Sequence, residues 1–335
     1  MDVLRGVALS GILVVNAIAV LRMDSGIVGG KVPIAYSVVE QVFHQRFFPI
    51  FSTLFGLSFG LMWVTAKERA VSPRIVLGRR LVALAMIGAA HQVLQPGEAL
   101  LPYAFAGLVV PLPATWLPRR FAVTTTGVAG AVLTVAAAGM GGLALIPGLF
   151  LLGFSAACAD LPHRLPQHRR VLAAATLACA VAAVPVAILQ QGDPVNAGYS
   201  PASSVAGLLL AGAYIGAVLL AMTTPLRAPL VAFFAPLGRM SLTNYLAATL
   251  ILTTLRLLDW PIHASADDNA NWPALFAVCA AIIVAQRFVS AWWLDRFGQG
   301  PLERLWRVAT WHRARLKAED APSDALTPFP EGSER

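Results

Sequence analysis

The chain has 335 residues, 57% hydrophobic and only 13% charged, with a formal net charge of +8. Soluble globular proteins carry about a quarter charged residues, so an ordinary cytosolic enzyme is excluded. With a mean hydropathy of +0.69, the composition describes an all-α, polytopic membrane bundle.

A membrane helix needs about 20 apolar residues. Ten segments satisfy this and predict ten transmembrane helices: 4–22, 46–66, 78–94, 99–117, 121–138, 141–158, 171–190, 203–222, 241–258 and 273–294. The first follows Arg5. It reads as an uncleaved helix rather than a signal peptide, because nine further spans follow. The loop 23–45 can hold a short interfacial helix. The second span opens through FHQRFFPIFSTLFGLSFG, with His44 and Arg46 at its external mouth. Arg46 is expected to snorkel to headgroups. Ser52, Gly56, Ser58 and Gly60 imply close helix packing.

The third span ends in His91. A Pro96-Gly97 break then delivers Glu98, and Tyr103 lies one turn further on. The AAAGMGGL joint predicts a hairpin between the fifth and sixth spans. PLGRMSLTNYL opens the ninth span, and QRFVSAWWLDRF closes the tenth with Arg287 just inside Trp292-Trp293. Residues 312–335 are polar and poor in core formers, which predicts a disordered cytoplasmic tail beyond a membrane domain of residues 1–311. Cys158, Cys179 and Cys279 are isolated and show no metal spacing. No glycine-rich nucleotide loop, GxSxG motif or internal repeat is evident.

Charge sets the orientation. With the N-terminus inside, Lys67, Arg69, Arg74, Arg79, Arg80, Arg119, Arg120, Arg164, Arg169, Arg170, Arg227, Arg239 and the C-terminal basic residues all fall on the cytoplasmic side. Asp24, Glu40, Glu98, Asp193, Asp259, Asp267 and Asp268 fall outside. This is the positive-inside pattern. It places both termini in the cytoplasm of a plasma-membrane protein and accounts for the net charge without a nucleic-acid partner.

Two polar clusters stand out. Asn16 lies roughly 16 Å deeper than Arg5, and His91 roughly 16 Å deeper than Arg80, at a rise of about 1.5 Å per residue. The two share a level, and Glu98 sits beside them. An ionisable group at that depth is a functional candidate: His91 as base, Glu98 as its orienting acid, Asn16 as an oxyanion donor. The plainer alternatives are a packed histidine, a solvated loop acid and an interhelical hydrogen bond. His44 is the rival base, wetter and less constrained. The second cluster, on the cytoplasmic side, comprises Arg5, Arg239, Asn244 and Arg287. Forked, permanently charged guanidinium groups suit phosphate. The alternative is an ion-pair clamp with Asp2 or Asp295.

The opening MDVLRGVALSGILVVN resembles the start of the YeiB-like membrane proteins, domain-of-unknown-function family 418. The resemblance continues in FFPIFSTLFGLSFGL, RRLVALAMIGAAHQVLQPGEALLPYAFAGL, APLGRMSLTNYLAATLI and GPLERLWRVATW. It carries the family's recurring features onto Asp2, Arg5, Asn16, His91, Arg239, Thr243, Asn244, Tyr245, Glu303 and Arg307. The family has Gly-Asp-Ile-Leu where this chain has Gly97-Glu98-Ala99-Leu100, and it has residues before its opening Leu-Asp where this chain starts Met1-Asp2. Its remote relation to membrane acyltransferases such as heparan-alpha-glucosaminide N-acetyltransferase implies an acyl-CoA donor, acetyl-CoA foremost. It also implies transfer to an acceptor hydroxyl or amine within or across the membrane. That relative's histidine, in the loop before its second helix, favours His44.

The expected function is therefore a membrane acyltransferase without a metal, with a cell-envelope sugar, lipid headgroup or secreted metabolite as acceptor. A small-molecule transporter and a non-catalytic membrane partner are the alternatives.

Overall fold

The computed structural model describes residues 1–23, 25, 27, 31–192, 200–258, 271–311 and 314. Within them the chain forms helices α1 (Asp2–Leu21), α2 (Ile34–Val42), α3 (Phe47–Arg69), α4 (Pro73–His91), α5 (Leu100–Val109), α6 (Pro111–Ala114), α7 (Arg119–Ala137) and α8 (Ile146–Cys158). These are followed by α9 (Leu161–Arg164), α10 (Arg169–Gln191), α11 (Pro201–Ala221), α12 (Arg227–Arg239), α13 (Ser241–Leu257), α14 (Asn271–Phe297) and α15 (Pro301–Trp311). The expected tail, and the acids expected outside at Asp24, Asp193, Asp259, Asp267 and Asp268, lie outside the described residues.

Six stretches are long and apolar enough to cross a membrane: Asp2–Leu21, Ile34–Arg69, Arg120–Ala137, Arg169–Gln191, Pro201–Ala221 and Trp272–Phe297. The protein is a helical membrane protein. The other four expected spans are also helical, but fall short for identifiable reasons. Arg74, Arg79 and Arg80 load α4 with charge, α13 has only 17 residues, and α5 and α8 are short helices of 10 and 13 residues.

Val171, Leu177, Val181, Val184, Ile188 and Leu189 stand exposed along α10. On a soluble protein so large an apolar face would mark an interface; here it faces lipid. The interior is assembled by close approach rather than by water exclusion, as lipid requires. A Cβ on Gly56 would meet the backbone of Phe150, and one on Gly153 the carbonyl of Thr53, so α3 and α8 touch backbone to backbone. Gly60 faces Ala157 in the same seam, as expected of the small residues of the second span. The joint after α7 turns at Gly141 and Gly142, both with positive φ, and delivers α8 back along α7.

Besides the single turn α9, two longer helices escaped the sequence reading. α12 runs along α1, and Gly238 lies against the Asp2 carbonyl and Gly6 against that of Phe234. α15 lies across α4. Both hold too few apolar residues in a row to register as spans.

Candidate functional site

A cavity of about 330 Å³ lies between α1, α3, α5 and α13, at the lower end of the range for small-molecule sites. Its walls are apolar and largely aromatic: Ile12, Val15, Phe47, Phe48, Phe51 and Phe55. Phe48, Phe51 and Phe55 pack around Tyr103 at centroid distances of 5.9, 6.1 and 5.5 Å. The Tyr103 hydroxyl is engaged by Ser52 Oγ at 2.6 Å. Polar groups gather at the two ends. His44, Gln45, Gln95 and Glu98 line one, and Ser241 and Trp306 the other, with Asn16 and Tyr245 on the wall between. Phe47 to Phe55 alone spans roughly 12 Å along α3.

The first polar end is built on a turn of three residues, each tied to a different part of the fold. His44 Nδ1 meets Glu40 Oε2 at 2.8 Å. Gln45 holds a left-handed conformation with φ of 58°, and its Oε1 accepts the Gly142 N–H at 3.3 Å. Arg46 is fully buried. Its guanidinium donates to the carbonyls of Gln41, His44 and Ser203, to Ser203 Oγ at 3.0 Å and to Gln190 Oε1 at 2.6 Å. The expectation that Arg46 snorkels to headgroups is therefore corrected: too many carbonyls converge on it for lipid or water to compete. Glu40, expected on an external loop, is buried beside His44. A carboxylate beside Nδ1 favours the tautomer that carries its proton there.

His91 lies behind the opposite wall. It is 2% exposed and does not line the cavity. Its Nδ1 stands 3.5 Å from Glu98 Oε2, and among the described residues its buried Nε2 has no hydrogen-bond partner. The shorter contacts of Glu98 are with the first turn of α5, whose Leu100 and Leu101 N–H groups donate to its two oxygens at 2.6 and 2.8 Å. Glu98 thus caps α5 and shows one edge to the cavity. Gly97 supplies the positive φ of the turn, and Gly88 leaves room for the carboxylate. Tyr245 joins the group: its ring meets that of His91 edge-on at 5.2 Å, and its hydroxyl interacts with the Asn16 side chain and the Ala99 backbone. Asn16 and His91, expected at one level, are linked through Tyr245.

The four residues expected to form an anion site are not drawn into one recess. Arg239 reaches the Gly298 carbonyl at 3.1 Å on the exposed surface. Arg287 lies against Phe288. Asn244 is buried and donates to Ser290 Oγ at 2.9 Å and to the Leu237 carbonyl. Arg5 pairs with Asp2 at 3.3 Å and donates to Ser58 Oγ at 2.6 Å. Glu303 accepts the N–H groups of Leu242 and Thr243 and the Thr243 hydroxyl, so it caps α13 from α15. Among the described residues no cluster of His, Cys, Asp or Glu could hold a metal ion.

Sequence reasoning missed the partners rather than the histidines. Glu40 stands four residues before His44, a helical spacing that would have paired them. Gln95 and Trp306 carried no such signal.

Bundle and cavity together define a helical membrane protein with an internal, aromatic-lined chamber. The family model described as "Protein of unknown function (DUF418)" matches residues 156–313. The chain is 30% identical over 340 residues, 93% of each protein, to the "Uncharacterized 39.9 kDa protein in amylase 3'region" of Bacillus acidopullulyticus. It is 40% identical over 84 residues to the "Uncharacterized protein YeiB" of Escherichia coli (strain K12), covering 25% of this chain and 20% of that one. It belongs to the DUF418 family, the YeiB-like proteins. No solved structure matches the chain.

Proposed function

We propose that the protein is a membrane acyltransferase of the bacterial plasma membrane, with ten transmembrane helices and both termini cytoplasmic. The observation that carries this reading is the His44–Glu40 pair on the cavity wall, at 2.8 Å. A base oriented by a carboxylate, on the wall of a largely apolar chamber, suits general-base transfer. The ten-span topology is supported by a helix at each apolar segment and by the distribution of Lys and Arg.

In this reading His44, rather than His91, is the base, because His44 lines the chamber and His91 does not. An acyl-CoA, acetyl-CoA foremost, approaches from the Trp306 end, and the acceptor hydroxyl or amine from the His44 end. His44 takes the acceptor proton as the acceptor attacks the thioester carbonyl. The C–S bond breaks, and the coenzyme A thiolate recovers the proton from His44. Asn16 and Tyr245 offer hydrogen bonds to the carbonyl oxygen as it gains charge. His91 and Glu98 position Tyr245 and the α4–α5 turn.

The test is purified protein with labelled acetyl-CoA and a panel of envelope sugars, lipids and amines, read by mass spectrometry of acylated products. His44→Ala should lower turnover by about 10²-fold or more and leave coenzyme A binding unchanged. Full activity in His44→Ala would overturn the assignment of the base, and absence of any acylated product in the wild type would overturn the transferase reading.

A further inference from the structure

Arg80 enters neither the expected anion cluster nor the proposed chemistry, yet its surroundings are unusual. Its guanidinium lies over the Trp306 ring at 3.6 Å. Trp306 Nε1 donates in turn to the Arg80 carbonyl at 2.7 Å, so α4 and α15 hold the stack from both sides. Trp306 also lines the chamber. Arg5 on α1 is close enough for its charge to repel that of Arg80. Among the described residues one carboxylate, Asp2, pairs with Arg5, and no ion pair or side-chain hydrogen bond serves the Arg80 guanidinium. Asp2 thus offsets Arg5 alone, Glu303 is engaged by the first turn of α13, and the Arg80 guanidinium is left without a carboxylate behind Trp306, which lines the chamber.

Like charges drawn together out of water are unfavourable unless an anion joins them. A guanidinium laid flat on an indole presents its N–H edge outward, the geometry that accepts phosphate oxygens. We infer that Arg5, Arg80 and Trp306 form a phosphate-binding recess at the inner end of the chamber, taking the diphosphate of a soluble donor. The inference rests on the reading in which an acyl-CoA arrives from the cytoplasm, and it replaces Arg239 and Arg287 with Arg80. Ser58 fixes the Arg5 fork and acts as a positioning residue.

The experiment measures binding, not turnover, so it stands apart from transfer activity. Purified wild type, Arg80→Gln, Arg80→Lys and Arg5→Gln are titrated calorimetrically with coenzyme A and with inorganic pyrophosphate. Each is also examined for retained phosphatidylglycerol by native mass spectrometry. Coenzyme A and pyrophosphate should bind the wild type and weaken at least about tenfold in Arg80→Gln and Arg5→Gln, the loss of one charge-assisted bond. Arg80→Lys keeps the charge but not the stacked fork and should fall between. If only phosphatidylglycerol binds, and does so through Arg80, the recess holds a lipid phosphate: the soluble-donor assignment is then overturned, while acyl transfer is judged separately. If Arg80→Gln does not fold, Arg80→Lys and Arg5→Gln carry the comparison. Unchanged affinities in the folded variants, or no binding of any probe by the wild type, overturn the proposal.

Discussion

Arg46 is the residue on which the outer end of the chamber depends. It does not itself line the cavity, yet it ties the His44 carbonyl to α10 and α11 through Gln190 and Ser203. Replacing it with Met roughly keeps the volume but removes the donor from Gln190 Oε1 and from several carbonyls, and each buried acceptor left unsatisfied costs about 1–3 kcal/mol. Arg46→Met should therefore lower the thermal midpoint in detergent and reduce turnover together. Glu40→Gln separates orientation from structure: it should leave the midpoint nearly unchanged while lowering kcat. A kcat equal to wild type would remove Glu40 from the chemistry. For the second pair, Glu98→Asp should lower the midpoint, because a side chain one methylene shorter reaches the Leu100 and Leu101 N–H groups less well, with a smaller effect on turnover than His44→Ala. At this scale the sequence exposed residues that are costly in lipid, such as His44, Asn16, His91 and Glu98. It did not expose who holds them. Arg46 looked like a snorkelling arginine because its partners lie some 150 positions later in the chain.

At the scale of elements, polar residues of the last three helices turn out to be joints. Glu303 caps α13 from α15, and Asn244 links α13 to α14 through Ser290. Loss of a helix cap costs about 1–2 kcal/mol, so Glu303→Ala should lower the midpoint measurably, with Glu303→Gln recovering part of it. An unchanged midpoint in Glu303→Ala would show that α15 is not needed to start α13. The long spans were legible because lipid demands runs of apolar residues whatever their partners. α12 and α15 were hidden because their helicity comes from docking onto α1 and α4, a tertiary effect with no run of its own. The phenylalanines of α3 read as generic membrane residues. Only their packing around Tyr103, from a different helix, makes them the wall of a chamber.

For the whole molecule, orientation is the testable quantity. In a cysteine-free background, a cysteine at Lys67 should react only after the membrane is permeabilised, and one at Ser37 should react in intact cells. The reverse pattern would invert the topology and exchange the two ends of the chamber. The positive-inside bias is the basis for expecting this orientation, because it acts during insertion and needs no fold. The chamber was not legible, since it is the gap left between helices far apart in the chain.

The crossing of α1 and α12 at Gly6 and Gly238 has a bearing on how the protein is made. α1 finds its tightly packed backbone neighbour on α12 only when residue 238 has been synthesised. Counted from Leu21 at about 5–20 residues per second, that is a delay of roughly 11–43 s. During this interval the small-residue face of α1, with Arg5 at its foot, stands in the bilayer without its final companion. Chains halted before α12 should therefore be cleaved faster by membrane proteases than the chain that includes it; equal lifetimes in a pulse-chase comparison would show that α1 does not need α12.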